Sequence, residues 1–122
     1  MHYVLVSGKR DFTDYEKFKR VMDRALSHIE EDITIVEGGA RGTDFLAKTY
    51  ATEKGYSLKE FPADWDKYGK AAGPMRNMEM VKFLEKMPHK EGIFFWDWKS
   101  RGTMDCLRKA EKAGIICKVY TV

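Results

Sequence analysis

Short apolar runs alternate along the chain with stretches in which apolar residues recur every three or four positions. Tyr3 to Val6 is an apolar run ending at Ser7-Gly8, and it reads as a buried strand. Thr13-x-x-Glu16 has the form of a capping box. Phe18, Val21, Met22, Ala25, Leu26 and Ile29 follow it at helical spacing. Ile33 to Val36 is a second strand, stopping at Gly38-Gly39, and Leu46, Ala47, Tyr50 and Ala51 mark a second helix that Gly55 ends. Tyr56 to Phe61 reads as a third strand closed by Pro62, and Asp64 to Gly73 as a loop. Pro74 suits the first turn of a third helix, with Met78, Val81 and Leu84 as its buried face. Ile93 to Trp96 is a fourth strand, and Ile115 to Tyr120 the last. Between them Gly102-Thr103 opens a fourth helix, with Cys106, Leu107, Ala110 and Ala113 inward and Gly114 as its cap.

This strict alternation of strand and helix predicts one α/β domain over residues 1–122. Its core is a doubly wound, parallel, five-stranded sheet with helices on both faces. Ligands of such sheets bind outside the carboxyl ends of the strands, where the strand order reverses.

Composition is consistent with this picture. The 122 residues are 43% hydrophobic, 13% aromatic and 34% charged, which excludes a disordered chain. A net charge of +3, from 22 Lys+Arg against 19 Asp+Glu, is spread along the chain. It favours a local anion site over a long nucleic-acid groove. Cys106 and Cys117 lie in no metal or redox spacing and read as small core residues. No metal or cofactor is expected. The absence of a leader-like or membrane-length apolar stretch predicts a cytoplasmic protein with no membrane partner.

Four turns fall at the strand ends. Ser7-Gly8-Lys9-Arg10 combines a glycine with two cations, and reads equally as a plain surface turn or an anion contact. Gly38-Gly39-Ala40-Arg41-Gly42-Thr43-Asp44 carries three glycines just before a helix. Its N–H groups are candidates to converge on an anion, with Arg41 adding a bidentate contact. Asp44 either caps the helix or accepts from ribose hydroxyls. The long third turn holds Asp64, Trp65 and Tyr68, and its aromatics either stack on a base or cover the core edge. Arg76 and Asn77 follow in the first turn of the third helix, where a cation opposes the helix dipole. The fourth turn is Ser100-Arg101-Gly102-Thr103, with Asp105 just inside the helix. Trp96 is a further aromatic available for stacking.

These residues resemble the YspA-like group of the SLOG superfamily. The likeness runs through Gly8…Arg10-Asp11-Phe12, Gly38-Gly39-Ala40-Arg41-Gly42-Thr43-Asp44, Pro62-Ala63-Asp64-Trp65, Lys67-Tyr68-Gly69-Lys70-Ala71-Ala72-Gly73-Pro74…Arg76-Asn77 and Ser100-Arg101-Gly102-Thr103. It covers nearly the whole chain. The resemblance implies a Rossmann-like fold and a nucleotide-derived ligand. Relatives include the Lonely Guy phosphoribohydrolases and the DprA-type binders of single-stranded DNA. Of the Lonely Guy motifs, the helix-opening arginine is kept as Arg76 and its lysine becomes Asn77. The Gly-Thr pair is kept as Gly102-Thr103, and the glutamate becomes Asp105.

The leading expectation is a nucleotide-binding or sensing module using the residues named above. The alternative is a phosphoribohydrolase-like enzyme with Arg76 and Asp105 as its catalytic pair, cleaving a nucleoside monophosphate or an ADP-ribose-type ligand. A DprA-like DNA binder is a second alternative, opposed by the modest charge. Met75, Met78, Met80, Met87, Phe83 and Trp98 exceed what one core face needs, and SLOG relatives often dimerise, so a homo-oligomer is expected.

Overall fold

A computed structural model describes all residues, 1–122. The strands are β1 (His2–Gly8), β2 (Ile33–Glu37), β3 (Ser57–Glu60), β4 (Lys90–Trp96) and β5 (Cys117–Thr121). The helices are α1 (Tyr15–Leu26), α2 (Thr43–Lys54), a short α3 (Trp65–Tyr68), α4 (Ala72–Glu85) and α5 (Arg101–Lys112). All four strand pairings are parallel, in the order β3-β2-β1-β4-β5. The strand order reverses between β1 and β4, which leaves the predicted crevice at their carboxyl ends.

Strand alternation sorts the core into two layers. Val4, Val6, Ile33, Ile35, Ile93 and Phe95 face α1 and α2, where Phe18, Met22, Leu46 and Tyr50 cover them. Leu5, Val36, Phe94 and Trp96 face α4 and α5, under Met80, Leu84, Cys106 and Leu107. Phe18 and Phe95 lie 4.8 Å apart between ring centroids. Each such fully buried side chain contributes roughly 1.5–3 kcal/mol from burial.

Four local readings change. Asp14, not Thr13, caps α1, because its carboxylate accepts from the Lys17 N–H at 3.1 Å. Residues Asp64 to Gly73 are not a plain loop. Asp64 caps α3 by accepting from the Lys67 N–H, a 3₁₀ turn spans Gly69–Ala71, and α4 starts at Ala72. Met78 is exposed, and Met80 takes its place on the buried face of α4. Cys106 is buried, as expected, but Cys117 is only half-buried at the start of the edge strand β5.

Candidate functional site

The first two turns are fastened to one another. Thr43, the first residue of α2, donates from its N–H and its Oγ1 to the Lys9 carbonyl at 3.2 and 2.9 Å. Gly42, at φ 73, lies against the backbone of Lys9 and Arg10, and a Cβ there would overlap both carbonyls. Gly42 and Thr43 therefore serve the joint between the turns, and neither lines the cleft described below.

The second turn differs from the expected ring of free N–H groups. Glu37 Oε1 accepts from the Gly39 N–H at 2.5 Å, Asp44 Oδ2 accepts from the Ala40 N–H at 3.2 Å, and the Thr43 N–H goes to Lys9. The turn's own carboxylates take two of its N–H groups, and the Lys9 carbonyl takes a third. Asp44 is buried, which pushes its carboxyl above the usual range, and its bond to Ala40 braces the turn. Glu37 is fully buried, and burial followed by the neighbouring Glu60 pushes its carboxyl up to about 9.

The fourth turn leaves its helix opening free. Asp97 accepts from the Lys99 and Ser100 N–H groups and from Ser100 Oγ, at 2.8–3.0 Å. These bonds hold its carboxyl down at about 2. They shape a loop tight enough to keep Trp98 at φ 64. Asp97 binds residues ahead of the helix, so α5 starts with no side-chain cap. Its first-turn N–H groups and the positive end of its dipole are left for the cleft.

Between these turns lies a cleft of about 670 Å³, inside the range for small-molecule sites. Ser7, Gly8, Lys9, Arg10, Ala40, Arg41, Asp44, Trp65, Arg76, Asn77, Ser100, Arg101, Gly102, Thr103 and Asp105 all line it. A side lobe of about 370 Å³ adds Gly38 and Gly39 and shares Arg10, Arg41, Trp65 and Arg76 with the main cleft. Asp64 and Trp96 line neither. Asp64 is the cap of α3, and Trp96 is buried with its Nε1 donating to the Ser100 carbonyl at 3.0 Å. Trp65 is half-exposed at the mouth, with the Arg10 guanidinium 5.5 Å from its ring centre.

At the floor, a polar chain crosses from β2 to α5. Arg76 is 8% exposed; its Nη1 donates to the Gly38 carbonyl and its Nε to Asn77 Oδ1 at 3.0 Å. Asn77 Nδ2 donates to the Gly102 carbonyl at 3.2 Å and to Asp105 Oδ2 at 3.0 Å. Lys109 Nζ closes the chain on Asp105 Oδ2 at 2.7 Å, and also reaches the Pro74 carbonyl at 3.1 Å. Asn77 thus stands between Arg76 and Asp105, and a lysine one turn along α5 supplies the second cation.

Sequence reasoning missed Asp97, Asp11, Gly73, Pro74 and Met80 as lining residues. For Asp97 a signal existed: an aspartate can close an Asx-type turn on the N–H two residues on, here that of Lys99. Met80 was hidden by the choice of Met78, two residues earlier and nearly on the opposite face of the helix, as the methionine that faces inward.

With this geometry in view, the chain can be compared with known proteins. The model of the YspA, cpYpsA-related SLOG family matches residues 2–68. The chain belongs to this SLOG family. That match spans β1 through α3 and so contains the first two turns of the cleft and the start of the third. The Gene 61 protein of Mycobacterium phage D29 is 33% identical, over 94% of this chain and 93% of its own. SLOG membership points to a nucleotide-related role, as a ligand binder or as an enzyme. No helix is long and apolar enough to cross a membrane.

Proposed function

We propose that the cleft binds a nucleotide or nucleotide-derived ligand through its phosphate, and that the protein is a binding or sensing module. Arg76 carries this reading. Its guanidinium is buried in the cleft wall, forms no ion pair, and spends its hydrogen bonds on neutral oxygens of Gly38 and Asn77. Arginine stays charged and has five N–H donors. The buried Asp44 carboxyl of the same cleft acts on that charge only from beyond salt-bridge distance. Burying a charge without a directly bonded carboxylate is costly, and an anion in the cleft offsets the cost. The uncapped first turn of α5 faces the same space, and Lys9, Arg10, Arg41 and Arg101 add positive charge around it.

One observation favours a second reading, cleavage of the N-glycosidic bond of a nucleoside monophosphate or ADP-ribose-type ligand. Asp105 lines the same cleft with one carboxylate oxygen fixed by Asn77 and Lys109. A carboxylate held in place can stabilise the positive charge that develops on a ribose during such cleavage.

The test is to incubate the protein with nucleoside monophosphates and with ADP-ribose, following melting temperature and released base together. A saturable rise in melting temperature with the nucleotide intact supports the binding module. Base release that Asp105→Asn abolishes moves the assignment to the enzyme. No rise with any nucleotide overturns the ligand class, and a salt-sensitive shift with oligonucleotides alone replaces it with nucleic acid.

A further inference from the structure

Charge is divided unevenly between the two lobes of the cleft. The carboxylates Asp11, Asp44, Asp97 and Asp105 all line the main lobe, and none lines the side lobe. Arg10, Arg41 and Arg76 line both, so the side lobe carries three guanidinium groups and no acid. Every ion pair of the chain is made by a lysine, a histidine or the N-terminus, and no arginine takes part. Asp44 attracts Arg76 and Arg10 only through space, because its Oδ2 is on the Ala40 N–H. Water meets the needs of Arg10 and Arg41, which are exposed. It does not meet those of Arg76, which is buried, and whose Nη2 makes no hydrogen bond within the fold. Like charges gathered without an acid repel one another, and an anion among them reverses the sign of that interaction.

The arginine cluster is also a neighbour of the α5 opening. A single side chain joins them: Asn77 accepts from Arg76 Nε at 3.0 Å and donates to the Gly102 carbonyl at 3.2 Å. Two phosphates that share one bridging oxygen suit two anion seats one asparagine apart. The rest of the side lobe is uncharged, formed by the backbone of the glycine turn with Pro62, Ala63 and Trp65. Its volume of about 370 Å³ is far more than one phosphate fills. We propose that the side lobe is a second phosphate subsite and that the ligand is a diphosphate ester, a nucleoside diphosphate whose outer phosphate carries a further group. One phosphate sits at the opening of α5 and the other on Arg10, Arg41 and Arg76, with the group beyond it in the side lobe. This rests on the reading of the cleft as a nucleotide site, and narrows that reading from monophosphates to diphosphate esters.

The test titrates the full chain by calorimetry with AMP, ADP and ADP-ribose, and in a second series with UMP, UDP and UDP-glucose. In a series that binds, the diphosphate ester binds at least about tenfold tighter than the monophosphate, the gain from a second set of charge-assisted hydrogen bonds. Ala63→Phe fills the side lobe, and brings the ester down to the affinity of the monophosphate while leaving the monophosphate unchanged. Arg41→Gln lowers the ester more than the monophosphate and so narrows the ratio. Arg41 is exposed, so its variant folds and carries the test even where Ala63→Phe disturbs the chain. Equal affinity for monophosphate and ester overturns the inference and leaves the nucleotide reading standing. So does a wild-type ratio in Arg41→Gln. Absence of binding in both series overturns the nucleotide reading, and the inference with it.

Discussion

The guanidinium of Arg76 lies directly against the backbone of Gly38, on another element of the fold. A Cβ added at Gly38 would come within 2.8 Å of Cζ and 2.9 Å of Cδ of Arg76. That glycine is therefore spent on admitting a side chain, and its contribution to the cleft runs through Arg76.

Gly38→Ala is expected to push Arg76 out of its seat. The overlap is with the rigid guanidinium end of a buried side chain, so relief requires Arg76 or the turn to move. Overpacking of this kind costs roughly 1–3 kcal/mol. Denaturant unfolding measures that loss. Binding of the best nucleotide from the thermal screen falls in parallel with Arg76→Gln, which removes the charge without adding bulk. Full ligand affinity in Gly38→Ala would separate the cleft from the Arg76 seat.

Asn77 bridges the two charged ends of the floor, and its replacement tests that bridge. Asn77→Leu keeps the volume but leaves Arg76 Nε, the Gly102 carbonyl and Asp105 Oδ2 each short of a partner. A buried group stripped of its hydrogen bond costs about 1–3 kcal/mol. Asn77→Asp replaces one donor with a charge beside Asp105. Its other oxygen stays on Arg76 Nε and pairs that buried charge, so Asn77→Asp is expected to be the milder of the two at neutral pH and to lose that advantage in acid. Urea titrations of both variants at pH 5 and pH 7 check the order.

The fold was legible because its two periods are clean: apolar runs such as Ile33 to Val36 stop at glycine, and helical spacing such as Phe18-Met22-Ala25 resumes after each turn. Right-handed crossovers that cover both faces of one sheet require the strand order to reverse. Local chemistry was less legible. The turn from Gly38 to Asp44 looked like a free phosphate loop because glycines do not reveal which acceptors will reach their N–H groups. Here Glu37 reaches the N–H of Gly39 and Asp44 that of Ala40. Glu37 was passed over because a glutamate at a strand end reads as solvated, whereas β3 and its Glu60 partner enclose it.

Trp65 is expected to report ligand directly. It is half-exposed at the mouth, lines both lobes, and has Arg10 over its ring. Stacking of a base on such a ring is worth about 1–3 kcal/mol. Trp65→Ala is therefore expected to weaken nucleotide binding about tenfold while leaving the melting temperature of the free protein nearly unchanged. Quenching of tryptophan emission during titration, lost in Trp65→Ala and kept in Trp98→Ala, checks the assignment to this side chain.

Glu37 makes the fold sensitive to alkali. Burial, reinforced by Glu60, lifts its carboxyl from 4.5 to about 9, and its Oε2 has no hydrogen-bond partner. Between those two values the folded chain keeps a proton that the unfolded chain releases. Stability from this group is thus complete below about pH 4.5 and is lost as pH rises toward 9. The slope is at most about 1.4 kcal/mol per pH unit. Glu37→Gln keeps the shape and the acceptor for the Gly39 N–H but cannot ionise. It is expected to match the wild type near pH 5, to exceed it at pH 8 to 9, and to flatten the curve of unfolding free energy against pH. Denaturant unfolding across that range measures both curves, and parallel curves would mean that Glu37 is ionised in the folded protein, with its charge met by a partner.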